Sequence, residues 1–227
     1  MSLASLRLLQ LCSANLPTGA YAFSQGLETA TEETWLTNFE DTRVWLEIQL
    51  RYSLGYADLP LLIRMLRAIY QGDFKKVLEW NLMTLALRET KEFRLNDLAT
   101  GQALMRVLKR LENDDKTEQL ERLFEQDSEI SFVTAFSIAV HRWDITQYDA
   151  CLGYAWSWLE NQVSAATKLV PLGQTQSQQL LEKLQPEILN TIGLALDCED
   201  DELGASLPIL SIASCWHEHQ YSRLFRS

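Results

Sequence analysis

Residues 146–169, TQYDACLGYAWSWLENQVSAATKL, carry the longest unbroken helical pattern in the chain. Tyr148, Leu152, Ala155, Leu159, Val163, Ala166 and Leu169 return every three or four positions, while Asp149, Gly153, Ser157, Glu160 and Ser164 fall off that face. The pattern predicts a central helix around which the rest must pack. Lys168 sits in its last turn, where a cation suits the helix dipole, and Pro171 and Gly173 stop it. Its small residues permit close helix packing, so a structural reading of this segment suffices by itself.

Outward from that helix the signals remain helical. Thr37-Asn38-Phe39-Glu40 has capping-box spacing and opens a helix to about Leu54, with Val44, Trp45, Ile48 and Tyr52 turned inward. Asp58 is placed to cap a helix beginning Leu59-Pro60, on which Leu62, Met65, Leu66 and Ile69 form a stripe up to Gly72. Asp73 caps the next, over 74–87, and apolar spacing marks another over 91–111. Shorter helices are expected over 116–125 and 131–141, then over 174–184, 186–196 and 206–215. The nine Gly and five Pro are too sparse for the turns of a many-stranded sheet protein. With no repeat, low-complexity tract or linker, the chain reads as all-α: a single globular domain over 1–227, with about ten helices around a long central one.

Composition narrows the function classes. With 47% hydrophobic and 22% charged residues in 227, the chain has the make-up of a folded domain. Its 20 Lys plus Arg against 31 Asp plus Glu give a net charge of -11, which opposes nucleic acid and anionic membrane as partners. Cys12, Cys151, Cys198 and Cys215 are scattered with no CxxC pair, as expected of reduced thiols in a cytoplasmic protein. The uncharged run from Leu8 to Leu27 is interrupted by Gln10, Asn15, Pro17, Gly19 and Gln25, so it is not read as a membrane helix, and Leu8, Leu9 and Leu11 are too few for a secretion signal.

The phosphate loop, dinucleotide fingerprint, zincin helix and nucleophile elbow are all missing. Cys215-Trp216-His217-Glu218-His219 is the one dense group of soft-metal donors. Two readings of it stand: a helical metal-binding enzyme built on Cys215, His217 and His219, or an amphipathic segment with ordinary hydrogen bonds. Helical donors two positions apart point about 200° away from one another, which weakens the first. Asp197, Glu199, Asp200, Asp201 and Glu202 lack the spacing of a calcium loop and read as a solvated turn that caps the following helix. Glu118, Glu121 and Glu125 read as a solvent face.

Three segments do not look like generic helix. In LPTGAYAFSQGLE (residues 16–28) a Pro and two Gly punctuate an apolar, aromatic stretch with Ser24 as a plausible cap, either a packing turn or a site. The second is SWLENQVSAATKLVPLGQ (157–174). The third is the tail YSRLFRS (221–227), basic and aromatic in an acidic chain; as a helix it would put Tyr221, Leu224 and Phe225 on one face and Arg223 and Arg226 on another.

Together these stretches resemble the UreF family of urease accessory proteins. The first is similar to an LPxGxxxxSxGLE motif, the second to the family's central-helix segment, and HEHQYSRLFRS (217–227) to a terminal HExxYxRLFRS. Arg88-Glu89-Thr90 and Gly101 fall where the family has a similar Arg-rich helix and glycine; Thr18, Ala22 and His219 depart mildly from its pattern.

The resemblance implies a dimeric all-α scaffold, not an enzyme. Such a scaffold binds UreD (also called UreH), recruits the GTPase UreG, and helps load nickel onto apo-urease. No resident cofactor is implied, only transient nickel. The residues expected to meet partners are Pro17, Gly19, Phe23, Gly26 and Glu28; Lys168, Pro171, Gly173 and Gln174; and Tyr221, Arg223, Leu224, Phe225 and Arg226. The tail over 217–227 is expected to be mobile alone and to order on the UreD-type partner, with Arg223 as its anchor.

Overall fold

Gln49–Asp58 is wound as a π-helix and joins two α-helices, Phe39–Ile48 and Leu59–Gln71, into one continuous rod. The computed structural model describes residues 2–111, 116–124 and 128–226. Its α-helices are α1 (Leu3–Leu11), α2 (Leu27–Glu32), α3 (Phe39–Ile48), α4 (Leu59–Gln71), α5 (Phe74–Ala86), α6 (Lys91–Arg110), α7 (Glu118–Leu123), α8 (Phe132–Arg142), α9 (Gln147–Leu169), α10 (Gln174–Asp197) and α11 (Pro208–His217). Short 3₁₀ turns cover Ala20–Ala22 and Asp200–Glu202. No strand occurs among the described residues, and none of their helices is long and apolar enough to cross a membrane. The expected all-α domain is what the chain forms. Glu125, assigned to a solvent face, lies outside the described residues, as does Ser227.

The rod departs from the sequence reading in three ways. Asn38, not Thr37, caps α3, its Oδ1 accepting from the backbone N–H groups of Glu40 and Asp41. The inward face carries Thr42, Leu46, Gln49 and Leu50, whereas Val44 and Ile48 are each 40% exposed. Both apolar pairs have i, i+4 spacing, and the polar Thr42 and Gln49 disguise the buried one. The chain does not break before Leu59 either. Asp58 has helical angles and caps nothing; its carboxylate is committed to Arg88 and Tyr154. Pro60, four residues on, has no N–H to offer the Tyr56 carbonyl, which accepts from Gly204 N–H instead and so fastens the 198–207 loop.

α4 and α9 form the centre. α4 is buried on nearly every side, from Leu59 through Ile69, and packs against α5, α8, α9 and α10. α9 is covered on more faces than its pattern indicates. Gly153, expected to face away, lies under α1, where an added Cβ would come within 2.6 Å of Cys12 Sγ and Leu8 Cδ1. α1 itself, capped by Ser2, has no counterpart in the sequence reading. Tyr148, expected inward, is half exposed. α10 runs straight through Pro186, where a break between two helices was expected; Pro186 and Glu182, the residue one turn back, are both exposed, so the carbonyl that proline leaves without a donor can reach water. Gly101 lets α6 approach the segment before α8, since a Cβ there would lie 2.4 Å from the Ile130 carbonyl oxygen.

Candidate functional site

Glycine geometry begins the site. Gly19 and Gly26 take left-handed angles, φ 78° and 83°, and bracket a tight loop that turns into α2, with Phe23 and Ser24 buried and Tyr21 exposed. Gly26 also abuts α11, where a Cβ would meet Ala213 Cβ and Leu210 Cδ1 at 3.2 Å. α9 holds the loop from the other side: Trp158 Nε1 donates to Gln25 Oε1 at 2.9 Å and Asn161 Nδ2 to the Ala20 carbonyl at 3.2 Å. Ser24 is buried with its Oγ 3.4 Å from the Glu28 N–H. Glu28 is thereby fixed in the first turn of α2, its carboxylate pointing at α11 and the C-terminal tail.

That carboxylate is a hub. It accepts from Leu224 N–H at 2.6 Å and Phe225 N–H at 2.9 Å, and lies 3.0 Å from His217 Nε2. On the far side of the same ring, Nδ1 is 3.0 Å from both Glu92 oxygens, and Arg223 reaches Glu92 at 3.3 Å. His217 is fully buried. A neutral imidazole offers one N–H and one lone pair, so two carboxylates facing its two nitrogens require one further proton, on the ring or on an acid. Thr90, which caps α6, bonds Ser214 of α11 at 2.7 Å and fixes the spacing between Glu92 and His217. The tail finishes the arrangement with Arg226 N–H on the Ala22 carbonyl at 2.7 Å, Phe225 buried, and the Lys168 ammonium 5.5 Å above the Phe225 ring.

A second charged cluster joins the end of the π-helical segment, α6 and α9. Arg88 donates to Asp58 Oδ1 at 2.8 Å and pairs with Asp97 at 3.2 Å, while Tyr154 Oη donates to Asp58 Oδ2 at 3.0 Å. Burial by itself would lower the Arg88 value, but Asp58 and Asp97 beside it hold the guanidinium well above its usual range. Burial pushes the Asp97 carboxyl up against the pull of Arg88, and burial followed by the Asp58 charge raises the Tyr154 phenol well above normal. A cavity of about 690 Å³ borders this second cluster, its lining including Asp58, Arg88, Asp97 and Tyr154 as well as Trp158, Lys168 and Ser177.

Comparison with known proteins now becomes decisive. The UreF family profile matches residues 36–185. A urease accessory protein UreF from Marinomonas sp. (strain MWYL1) is 50% identical over 98% of this chain and 94% of its own length. Those from Teredinibacter turnerae (45% identical, 98% of each chain) and Alkalilimnicola ehrlichii (43%, 99% of this chain and 96% of the relative) agree. The chain belongs to the UreF family. Its three motif segments, at the start, two-thirds along and the end of the chain, are the ones the fold brings to a single patch.

The residues expected to meet partners divide by burial. Phe23, Gly26, Glu28 and Phe225 are buried and build the patch, whereas Pro17, Lys168, Pro171, Gly173, Gln174, Tyr221, Arg223, Leu224 and Arg226 are exposed on it or beside it; Gly19 is intermediate. The tail, expected to be mobile alone, is docked in this structure, and residues 221–226 are bends rather than a helix, so Phe225 turns inward while Tyr221 and Leu224 face solvent. Cys215, His217 and His219 do not converge: His217 is enclosed by carboxylates while Cys215 and His219 are exposed. Among the described residues no three His, Cys, Asp or Glu side chains are grouped to hold a metal. The acidic 197–202 turn does not cap α11, whose cap position, Leu207, makes no side-chain bond; Glu202 bonds Glu199 N–H instead and Asp200 pairs with Arg64.

Glu92, Asp58 and Asp97 escaped the sequence reading as site residues. Each lies in or beside a helix where an acid needs no explanation, and only the folded neighbours reveal its role.

Proposed function

We propose that this UreF-family chain acts in urease maturation as a non-catalytic, homodimeric, cytoplasmic scaffold. It binds a UreD/UreH-type partner, recruits and modulates the GTPase UreG, and supports nickel delivery to apo-urease, with nickel as transient cargo. What carries the reading is the convergence of the three motif segments on one patch, where buried Glu28 holds the tail and exposed Lys168 stands beside it. A patch built from buried carboxylates and displayed cations suits docking of acidic or polar protein surfaces. The rival metal-binding enzyme needs Cys215, His217 and His219 together, and their separation favours the scaffold.

The test is a pull-down of UreD and UreG homologues with the full chain, followed by urease activation and GTP turnover with Lys168→Ala. The variant is expected to fold with a stability change below about 1 kcal/mol, as for a helix-end cation, yet to alter activation or turnover. Normal activation at normal protein levels would remove Lys168 from the reading. Tight stoichiometric metal with no partner capture would favour the enzyme.

A further inference from the structure

Three consecutive backbone amides of the tail are clamped: Leu224 and Phe225 on the Glu28 carboxylate, and Arg226 on the Ala22 carbonyl. Backbone contacts read no side-chain identity, so the clamp accepts many sequences. The side chain at 225 has a separate task. It is buried to 7% exposure, and its ring lies under the Lys168 ammonium at 5.5 Å. Among the described residues that ammonium has no ion pair or hydrogen bond, and the ring face is the partner it does have. An aromatic face attracts a cation through its quadrupole, which an aliphatic side chain of similar bulk lacks. Lys168 also lines the cavity that reaches Arg88, so its side chain stands between the tail and the interior.

We propose that Phe225 is a positioning residue for Lys168: the docked tail holds the terminal cation of α9 in place, and withdrawal of the tail from Glu28 releases it. A partner that captures the tail would thereby change what the Lys168 end of α9 presents, coupling two contact points of the patch through one ring. This rests on the reading that tail and α9 end meet different partners. Coupling free energy is reciprocal, so Lys168 must hold the tail as strongly as the tail holds Lys168.

The experiment uses the full-length protein with ¹³C,¹⁵N-lysine, Lys168 being assigned through Lys168→Arg. Ring-current displacement of the Lys168 ε-methylene signal is expected in the parent and in Phe225→Tyr, and its loss in Phe225→Leu, which keeps the backbone clamp and an apolar plug. Truncation after Arg223 should also abolish it, and being terminal leaves no hole inside the fold. An unshifted signal in the parent, or one unchanged in both Phe225→Leu and the truncation, overturns the proposal. Release of C-terminal residues by carboxypeptidase supplies the reciprocal arm: Phe225→Leu and Lys168→Met should each speed release about 2- to 5-fold, the scale of an exposed cation–π contact. The double variant should add nothing beyond either. Unchanged release in Lys168→Met overturns the coupling. GTP turnover in the assembly separates this from the functional reading: signal and release effects with unaltered turnover in both variants keep the coupling and remove the GTPase role of Lys168.

Discussion

Two clusters in this protein solve the same charge problem with different elements. Around Arg88, two carboxylates share a guanidinium and a phenol, all carried by α6, α9 and the helical rod or lying just ahead of α6. Around His217, two carboxylates share an imidazole, an arginine and two backbone amides, three of those donors coming from the last residues of the chain. The first cluster cannot lose its donors without opening the fold, since they sit in or beside packed helices. The second can, because lifting residues 223–226 returns Glu28 to water. Similar acids and cations thus make a permanent strut in one place and a detachable latch in the other, and the difference lies in which elements supply the donors.

Removing the strut's cation should have the largest effect. Arg88→Met leaves Asp58 and Asp97 buried without their guanidinium and is expected to cost about 3–5 kcal/mol, read as a lower urea midpoint. The pH dependence sharpens this. Burial already raises Asp97, and Arg88 opposes the rise. A carboxyl whose folded value exceeds its unfolded one takes up a proton on folding, so its contribution is most favourable at low pH and is lost as pH rises through the folded value. Without Arg88 that shift grows, so the variant's deficit should widen as pH rises from below the ordinary carboxylate range. A pH-independent deficit would mean the acids are not the cause.

His217→Ala tests the latch from inside. It sets Glu28 and Glu92 against a gap with no donor between them, at an expected cost of about 2–3 kcal/mol, the scale of hydrogen bonds to charged groups. A smaller loss, with the tail still protected from carboxypeptidase, would show that water replaces the ring. Deleting residues 223–227 should cost less, about 1–2 kcal/mol in thermal unfolding, because the buried Phe225 ring is lost while Glu28 regains water. Unfolding of the truncated chain would make the tail a strut and erase the distinction between the clusters. The smallest expected effect is Lys168→Ala, whose stability change stays below about 1 kcal/mol while its influence appears in the assembled complex.

The sequence by itself determined the fold class. Apolar residues at three- and four-residue spacing, with few Gly and Pro, leave helices as the way to bury 47% hydrophobic content, and caps such as Asp73, Thr90 and Ser131 stand in the structure at or next to the positions that spacing marks. The motif segments were legible too, since a Pro and two Gly among aromatics, or an aromatic-basic tail on an acidic chain, conflict with simple helix packing. Tertiary structure alone decided what these residues do. A periodic pattern reports that a face is buried but not by what, so it missed α1 over Gly153 and chose Val44 and Ile48 over Leu46 and Leu50. Glu28, Glu92 and His217 are separated by long stretches of chain, and no local rule indicates that one ring will bridge the two acids. Nor does the tail's composition say whether it lies free or docked: that depends on whether a carboxylate is waiting at the N-terminus of α2, which only the packed helices can place.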